Sequence, residues 1–270
     1  QLGNLEINNF SNKFLDRPES VWSVLRSSKS KKIYYGTYGG VLEYDGNEMK
    51  SISIEGEIEN EIVPSFTRTL LEDSEMNIYA AGRGFFGKIS RNSFGDSEYS
   101  SLMEKLPDSI NPYNQVFWGG VNKESEIYLY SRELIFRYNG DSFDKIWKLS
   151  DREEGIEGKG TIQTLIKVED RIFVRVWGLG LYELKNDQFK KIENSEIFSS
   201  NRIESMVAID NEKIAIFSSK LGTLIYDGNK FSLHKNQRLN SWIKEKLIYN
   251  TSEVKKLSNG HFPLISFEGG

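Results

Sequence analysis

No cysteine occurs in the 270 residues, which removes disulfides, thiolate metal sites and cysteine nucleophiles together. Histidine is almost missing too. His234 and His261 stand apart from any His-x-x-x-His or His-x-x-Glu spacing that a metal needs, and no Gly-x-Ser-x-Gly elbow leads into a helix to present a serine nucleophile. Carboxylates are plentiful, as in Glu72-Asp73 and Glu153-Glu154, but adjacent acids in turns are ordinarily solvated. Gly82-Arg83-Gly84 and Gly178-Leu179-Gly180 have the look of phosphate loops. Neither opens a helix, so hairpin geometry accounts for them. The expectation is a non-enzyme without metal or cofactor.

Long apolar runs are lacking as well. Nothing approaches the roughly 20 residues that cross a bilayer, and no charged-then-apolar signal stands at the N-terminus, so this segment is not expected to insert in a membrane. Nor does one sign of charge dominate: 35 Lys and Arg oppose 39 Asp and Glu, interspersed, for a net charge of -4. Without a basic stripe to neutralise a phosphate backbone, nucleic acid is not an expected partner. The hydrophobic fraction of 38% is low for an α/β enzyme and suits many short strands with wet outer faces. Aromatics, at 13%, are in excess and sit mostly in β-type runs.

Those runs repeat. Ile33 to Asp45, reading Ile-Tyr-Tyr-Gly-Thr-Tyr-Gly-Gly-Val-Leu-Glu-Tyr-Asp, is one β-hairpin that recurs in degraded form, often closed by Tyr-Asp-Gly or Tyr-Asn-Gly. Its first strand reappears at Tyr79 to Gly82, Tyr128 to Ser131, Phe173 to Val176, Ala215 to Ser218 and Leu264 to Phe267, with starts about 45, 49, 45, 42 and 49 residues apart. A period of that length belongs either to helical solenoids or to four-stranded propeller blades, and the apolar residues alternate, so blades are expected. Five complete antiparallel blades are read at Val21 to Ile54, Phe66 to Ile89, Val116 to Leu149, Ile162 to Ile192 and Ile203 to Leu233, with two strands of a sixth at Val254 to Phe267. Ser90 to Asn114 reads as an insert with a short helical turn at Ser101 to Leu106. Asp151 to Gly160 is an acidic, glycine-rich loop, and the spacing of Leu239, Trp242, Ile243, Lys246 and Leu247 predicts a short amphipathic helix at the propeller edge. The whole of 1–270 is expected to form a single all-β propeller domain. Leu5 to Phe10 is expected to be a strand that either completes the last blade or belongs to a longer ring.

The hairpin at Lys32 to Asp45 resembles the two-component-regulator propeller repeat: an acidic turn, a strand ending in Gly-Thr, a Gly-Gly or Gly-Leu turn, and a strand ending in Tyr-Asp. Asn9-Phe10 through Trp22, Leu42-Glu43-Tyr44-Asp45-Gly46, and Tyr99-Ser100-Ser101-Leu102 with Leu106-Pro107 are similar to the opening of the large Bacteroidetes sensor-regulators. The resemblance spans essentially the whole chain. It departs at Tyr34, where the repeat often has Trp, and at Tyr128 to Ser131 and Ala215 to Ser218, which lack Gly-Thr. It implies an N-terminal, periplasmic sensor segment of a longer receptor, followed by a triple-tyrosine domain, a membrane span and a histidine kinase or helix-turn-helix output module. Its implied partners are a small-molecule or glycan ligand and the receptor's own downstream domains.

The candidate ligand residues are those in the turn after each blade's second strand: Tyr38, Arg83, Arg132, Trp177, Lys220 and Glu268. In a propeller these turns share a face that surrounds the central channel. Aromatic faces beside Arg and Glu suit sugar-like or other polar ligands through stacking and bidentate hydrogen bonds. The plainer alternative is that they cover the blade tops. Rival functions are a propeller hydrolase or lyase acting on glycans, and a purely structural interaction scaffold.

Overall fold

The computed structural model describes residues 20–58, 61–64, 66–111, 115–149, 160–210, 212–246, 248, 253–254 and 261. Five four-stranded antiparallel sheets follow one another along the chain, each a meander in sequence order. They are Ser23–Arg26, Ile33–Thr37, Gly40–Tyr44 and Met49–Ser53 (blade 1); Thr67–Glu72, Ile78–Gly82, Phe85–Arg91 and Ser97–Ser101 (blade 2); Gly119–Lys123, Glu126–Tyr130, Leu134–Tyr138 and Phe143–Lys148 (blade 3); Thr161–Val168, Arg171–Trp177, Gly180–Lys185 and Gln188–Lys191 (blade 4); Ser205–Ala208, Ile214–Ser218, Gly222–Tyr226 and Phe231–Leu233 (blade 5). First strands of consecutive blades pack against one another, as inner strands of a propeller do.

The Tyr-Asp-Gly signature has a specific cause. At Asp45, Asn139 and Asp227 the side-chain oxygen accepts the backbone N–H groups two and three residues on, at 2.9–3.1 Å, and the glycine that follows takes a φ of 93° to 102°. The preceding tyrosine hydroxyl then donates to that glycine's carbonyl, at 2.8 Å in each of the three blades. Aspartate or asparagine builds the turn and only glycine accepts its backbone angle cheaply. Tyrosine ties the strand to it.

The hydrophobic core is divided into layers between neighbouring blades. Tyr34, Val41, Leu70, Ala80 and Phe85 pack between blades 1 and 2, whereas Phe86, Phe117, Phe136 and Phe143 form an edge-to-face aromatic layer between blades 2 and 3, with Tyr79 stacked on Phe86. Ile135, Trp147, Val174 and Phe189 fill the next gap, and Phe173, Phe198, Ile216 and Tyr226 the one after it. Burying each large apolar side chain contributes roughly 1.5–3 kcal/mol. The helix Gln237–Glu245 lies against blade 5, inserting Ile243 beside Val207, Ala215 and Phe217. Asn236 caps it by accepting from Leu239 N at 3.1 Å.

One polar pair recurs with its charges exchanged. In blade 1 Lys32 meets Glu43 across the second and third strands, and in blade 4 Arg171 meets Glu183 at 2.7 Å in the same register. In blade 3 the two positions hold Glu126 and Arg137, 3.6 Å apart.

Three features differ from the sequence-based expectation. Ser97–Ser101, placed in an insert, is the fourth strand of blade 2, so the connection to blade 3 is shorter than expected. An outermost strand needs little apolar character, and Ser-Glu-Tyr-Ser-Ser has only Tyr99 to mark it. Glu55–Ile58 and Glu61–Pro64 form an extra two-stranded hairpin between blades 1 and 2. Ile197–Ser200 is a single helical turn between blades 4 and 5. The helical turn at Met103–Lys105 and the edge helix fall where the pattern placed them. Leu5 to Phe10 and most of the sixth-blade segment, including Leu264 to Phe267, lie outside the described residues.

Candidate functional site

The second turn of each blade and the start of its first strand lie at one end of the sheet. Trp22 N donates to Gly36 O at 2.8 Å, Trp118 N to Tyr130 O at 2.9 Å and Glu204 N to Phe217 O at 2.9 Å. Each such turn also reaches the next blade. Tyr38 bridges to Phe66, and Arg83 to Val116. The residue immediately before the first strand is aromatic in three successive blades: Trp22, Phe66 and Trp118. All three are half-buried at this inner rim.

Arginines join these rings. Arg68 is the extra residue of a β-bulge in the first strand of blade 2, where Thr67 pairs with Gly82 but Thr69 pairs with Ala81. Bulges re-aim side chains, and this one sets the Arg68 guanidinium 4.2 Å from the Trp22 ring centroid, 5.5 Å from Phe66 and 5.1 Å from Trp118. Arg132 lies 4.2 Å from Trp118. One cation thus touches rings from three blades, and a second extends the row.

Tyr130, buried beneath the row, donates its hydroxyl to the carbonyl of Gln163 at 3.0 Å; Gln163 occupies the matching bulge in blade 4. Burial pushes the Tyr130 phenol up to about 12, against a hydrogen bond with Thr164 and the positive charges of Arg132, Arg68 and Arg202. Glu204, the residue before the first strand of blade 5, is buried. It accepts from Ser219 Oγ at 2.9 Å and lies 3.8 Å from Arg202.

Arg175 is the most deeply buried charge among the described residues, 1% exposed. It donates to the carbonyls of Phe198 at 2.9 Å and Ser199 at 3.2 Å, so the helical turn Ile197–Ser200 supplies its partners. Burial, reinforced by Arg202 and opposed by Glu204, holds its pKa down at about 10. Its guanidinium sits 4.9 Å from the ring of Trp177, which remains 47% exposed. A large aromatic face is thereby presented to solvent on a buried support.

Of the residues selected from the sequence, Arg132 stands in the arginine–tryptophan row, and Tyr38 reaches it through Phe66, at a ring separation of 4.7 Å. Trp177 joins the neighbouring group around Arg175 and Arg202. Arg83 and Lys220 occupy the corresponding turns of blades 2 and 5 and are exposed. Glu268 lies outside the described residues. Sequence reasoning passed over Trp22, Phe66, Arg68, Trp118, Arg175 and Arg202. The signal for the first three rings was present, since an aromatic residue precedes the first strand in three repeats.

Sheet order, repeat and inner-rim geometry together define a β-propeller. No protein family and no curated protein matches the chain. Among solved structures it is similar to the WD40 propeller domain of Doa1, at 13% identity over 92% of this chain and 75% of that one with a TM-score of 0.56. It is similar also to streptogramin B lyase, at 10% identity over 89% and 74% with a TM-score of 0.56. The extracellular domain of a hybrid two-component system from B. thetaiotaomicron aligns at 14% identity over 93% of this chain with a TM-score of 0.49; the chain spans 37% of that domain's length. Likeness at this level of identity shows the fold and nothing finer.

Proposed function

We propose that this propeller is the extracytoplasmic ligand-sensing segment of a signalling receptor and that its ligand sits on the inner rim, against Trp22, Trp118 and Arg132. The observation that carries this reading is Arg68, whose guanidinium contacts rings from three consecutive blades. An exposed cation–π contact such as that of Arg132 on Trp118 contributes only about 0.5–1 kcal/mol, so folding alone gives little reason to place that pair at the rim. A ligand on the rim would touch three blades at once. It would then favour one docking arrangement of this propeller on the receptor's next domain over another and shift a two-state equilibrium by its differential affinity. The sequence resemblance to the two-component-regulator repeat supports the receptor assignment.

We read the role as binding rather than turnover: Glu204, the buried acid at this rim among the described residues, is engaged by Ser219 and Arg202. The test is calorimetric titration with a panel of neutral and acidic oligosaccharides, followed by recovery of the ligand. Binding that Trp118→Ala abolishes, that Phe94→Ala on a distant exposed turn leaves intact, and that returns the ligand unchanged supports the reading. Binding indifferent to Trp118→Ala would place the site elsewhere.

A further inference from the structure

We infer that the ligand of this rim is an anion carried on a ring, recognised by Arg132 and Arg202 with Arg68 between the tryptophans. The inference rests on the assignment of the rim as the ligand site and adds the chemical class.

Charge distribution is the first argument. The chain is acidic overall, with a net charge of -4, yet Arg132 and Arg202 both present exposed side chains at this end, beside Glu133 of the same turn as Arg132 and the buried Glu204. The charges of both, with that of Arg68, reach the hydroxyl of a single tyrosine, Tyr130. An anion bound here is attracted by both exposed guanidinium groups.

Geometry is the second argument. Arg132 is an exposed turn residue whose guanidinium lies 4.2 Å from the centroid of Trp118. A guanidinium occupied through its face by an aromatic ring keeps its N–H edge for a carboxylate, phosphate or sulfate, which it can grip with two parallel hydrogen bonds. Arg202 is 65% exposed, and its carboxylate neighbour among the described residues, Glu204 at 3.8 Å, is itself held by Ser219. Arg175 is excluded from direct contact because it is 1% exposed, with Nε and Nη2 donating to the Phe198 and Ser199 carbonyls. It adds charge without occupying space. The rings beside these edges give the ligand's own ring a stacking surface, so a bare inorganic anion satisfies only half of the site.

The probes are an oligomer of hexuronic acid, its carboxyl-reduced neutral counterpart, benzoate and inorganic phosphate, each titrated by calorimetry at low and high salt. The acidic oligomer is expected to bind at least tenfold more tightly than the neutral one, to weaken as salt rises, and to lose at least tenfold in affinity in Arg132→Ala and in Arg202→Ala, with unfolding midpoints unchanged. Tight binding of benzoate, lost in the same variants, would support an aromatic acid as the source of the anion. Equal or better binding of the neutral oligomer, still abolished by Trp118→Ala, would overturn the anion inference while leaving the rim as the ligand site. Phosphate bound as tightly as either organic acid would overturn the requirement for a ring. Acidic-oligomer binding unaffected by Trp118→Ala, Arg132→Ala and Arg202→Ala would overturn both.

Discussion

Arg137, on blade 3, donates to the carboxylate of Asp187, on blade 4, at 2.7 Å. The same guanidinium grips Asp144 through two hydrogen bonds, at 3.0 and 2.8 Å, and Trp147 Nε1 donates to the Asp187 carbonyl at 2.9 Å. The turn of one blade is thus fastened to its neighbour through one arginine, 13% exposed. Arg137→Ala strands Asp144 and unlatches Asp187, and should lower the unfolding free energy by about 2–3 kcal/mol. Asp187→Asn, which removes a half-exposed charge and keeps a side chain that tolerates the left-handed backbone there (φ 57°), should cost less than about 1 kcal/mol. Urea unfolding of the two variants checks the order.

The exchanged pair in blade 3 predicts that the pair in blade 1 tolerates exchange. Glu43 is buried with Lys32, Ser97 and Tyr34 around it. Lys32→Glu alone places two carboxylates together and should destabilise strongly, by about 3 kcal/mol or more. Adding Glu43→Lys recreates the blade 3 arrangement, and the hydroxyls of Ser97 and Tyr34 can still accept from an ammonium. A double-mutant cycle should return at least half of the loss.

Acid should weaken the fold through the same residues. At Glu43 burial raises the carboxyl pKa, but hydrogen bonds from Lys32, Ser97 and Tyr34 more than offset it; at Glu183 burial is likewise outweighed by Arg171 and Lys185. Both are lowered in the folded state. Their contribution is therefore complete above the unfolded value of about 4.3 and is lost as pH falls through the folded values. Stability should hold from pH 7 to about 5 and decline below about 4. Glu43→Gln with Glu183→Gln should be less stable at pH 7 but show a shallower decline in acid, as read by denaturant midpoints across pH.

Two glycines separate close approach from turn conformation. A methyl group at Gly82 would meet Phe66 O at 1.8 Å, a backbone atom that cannot swing aside, whereas at Gly140 it would meet nothing within 4 Å and suffer only a φ of 98°. Gly82→Ala should destabilise by more than about 3 kcal/mol or prevent folding, and Gly140→Ala by about 1 kcal/mol. Thermal unfolding distinguishes them.

The blades were legible because their second and third strands, such as Glu126–Tyr130 and Leu134–Tyr138, are largely buried between layers and end in turns with a fixed residue code. The outer strand Ser97–Ser101 escaped because a strand at a sheet edge is largely solvated and leaves little apolar trace. The site was half legible for a related reason. Turn positions such as Arg132 stand out within a repeat, while Arg68 sits in a bulge that pairing alone reveals, and Arg175 reads as one more charge in a strand. Its burial depends on the turn Ile197–Ser200, more than 20 residues on.

The five tryptophans offer the most direct measurement of the central claim, because two line the rim and two lie away from it. Trp22 and Trp118 contact Arg68, Trp177 stands over Arg175, Trp147 is buried between blades 3 and 4, and Trp242 is on the edge helix. In protein labelled with 5-fluorotryptophan, titration with the acidic oligosaccharide should shift the fluorine resonances of Trp22 and Trp118, each assigned by its Phe variant, and leave those of Trp147 and Trp242 in place. Saturable binding that moves Trp242 or Trp147 and leaves Trp22 and Trp118 unmoved would contradict the assignment of the rim as the ligand site.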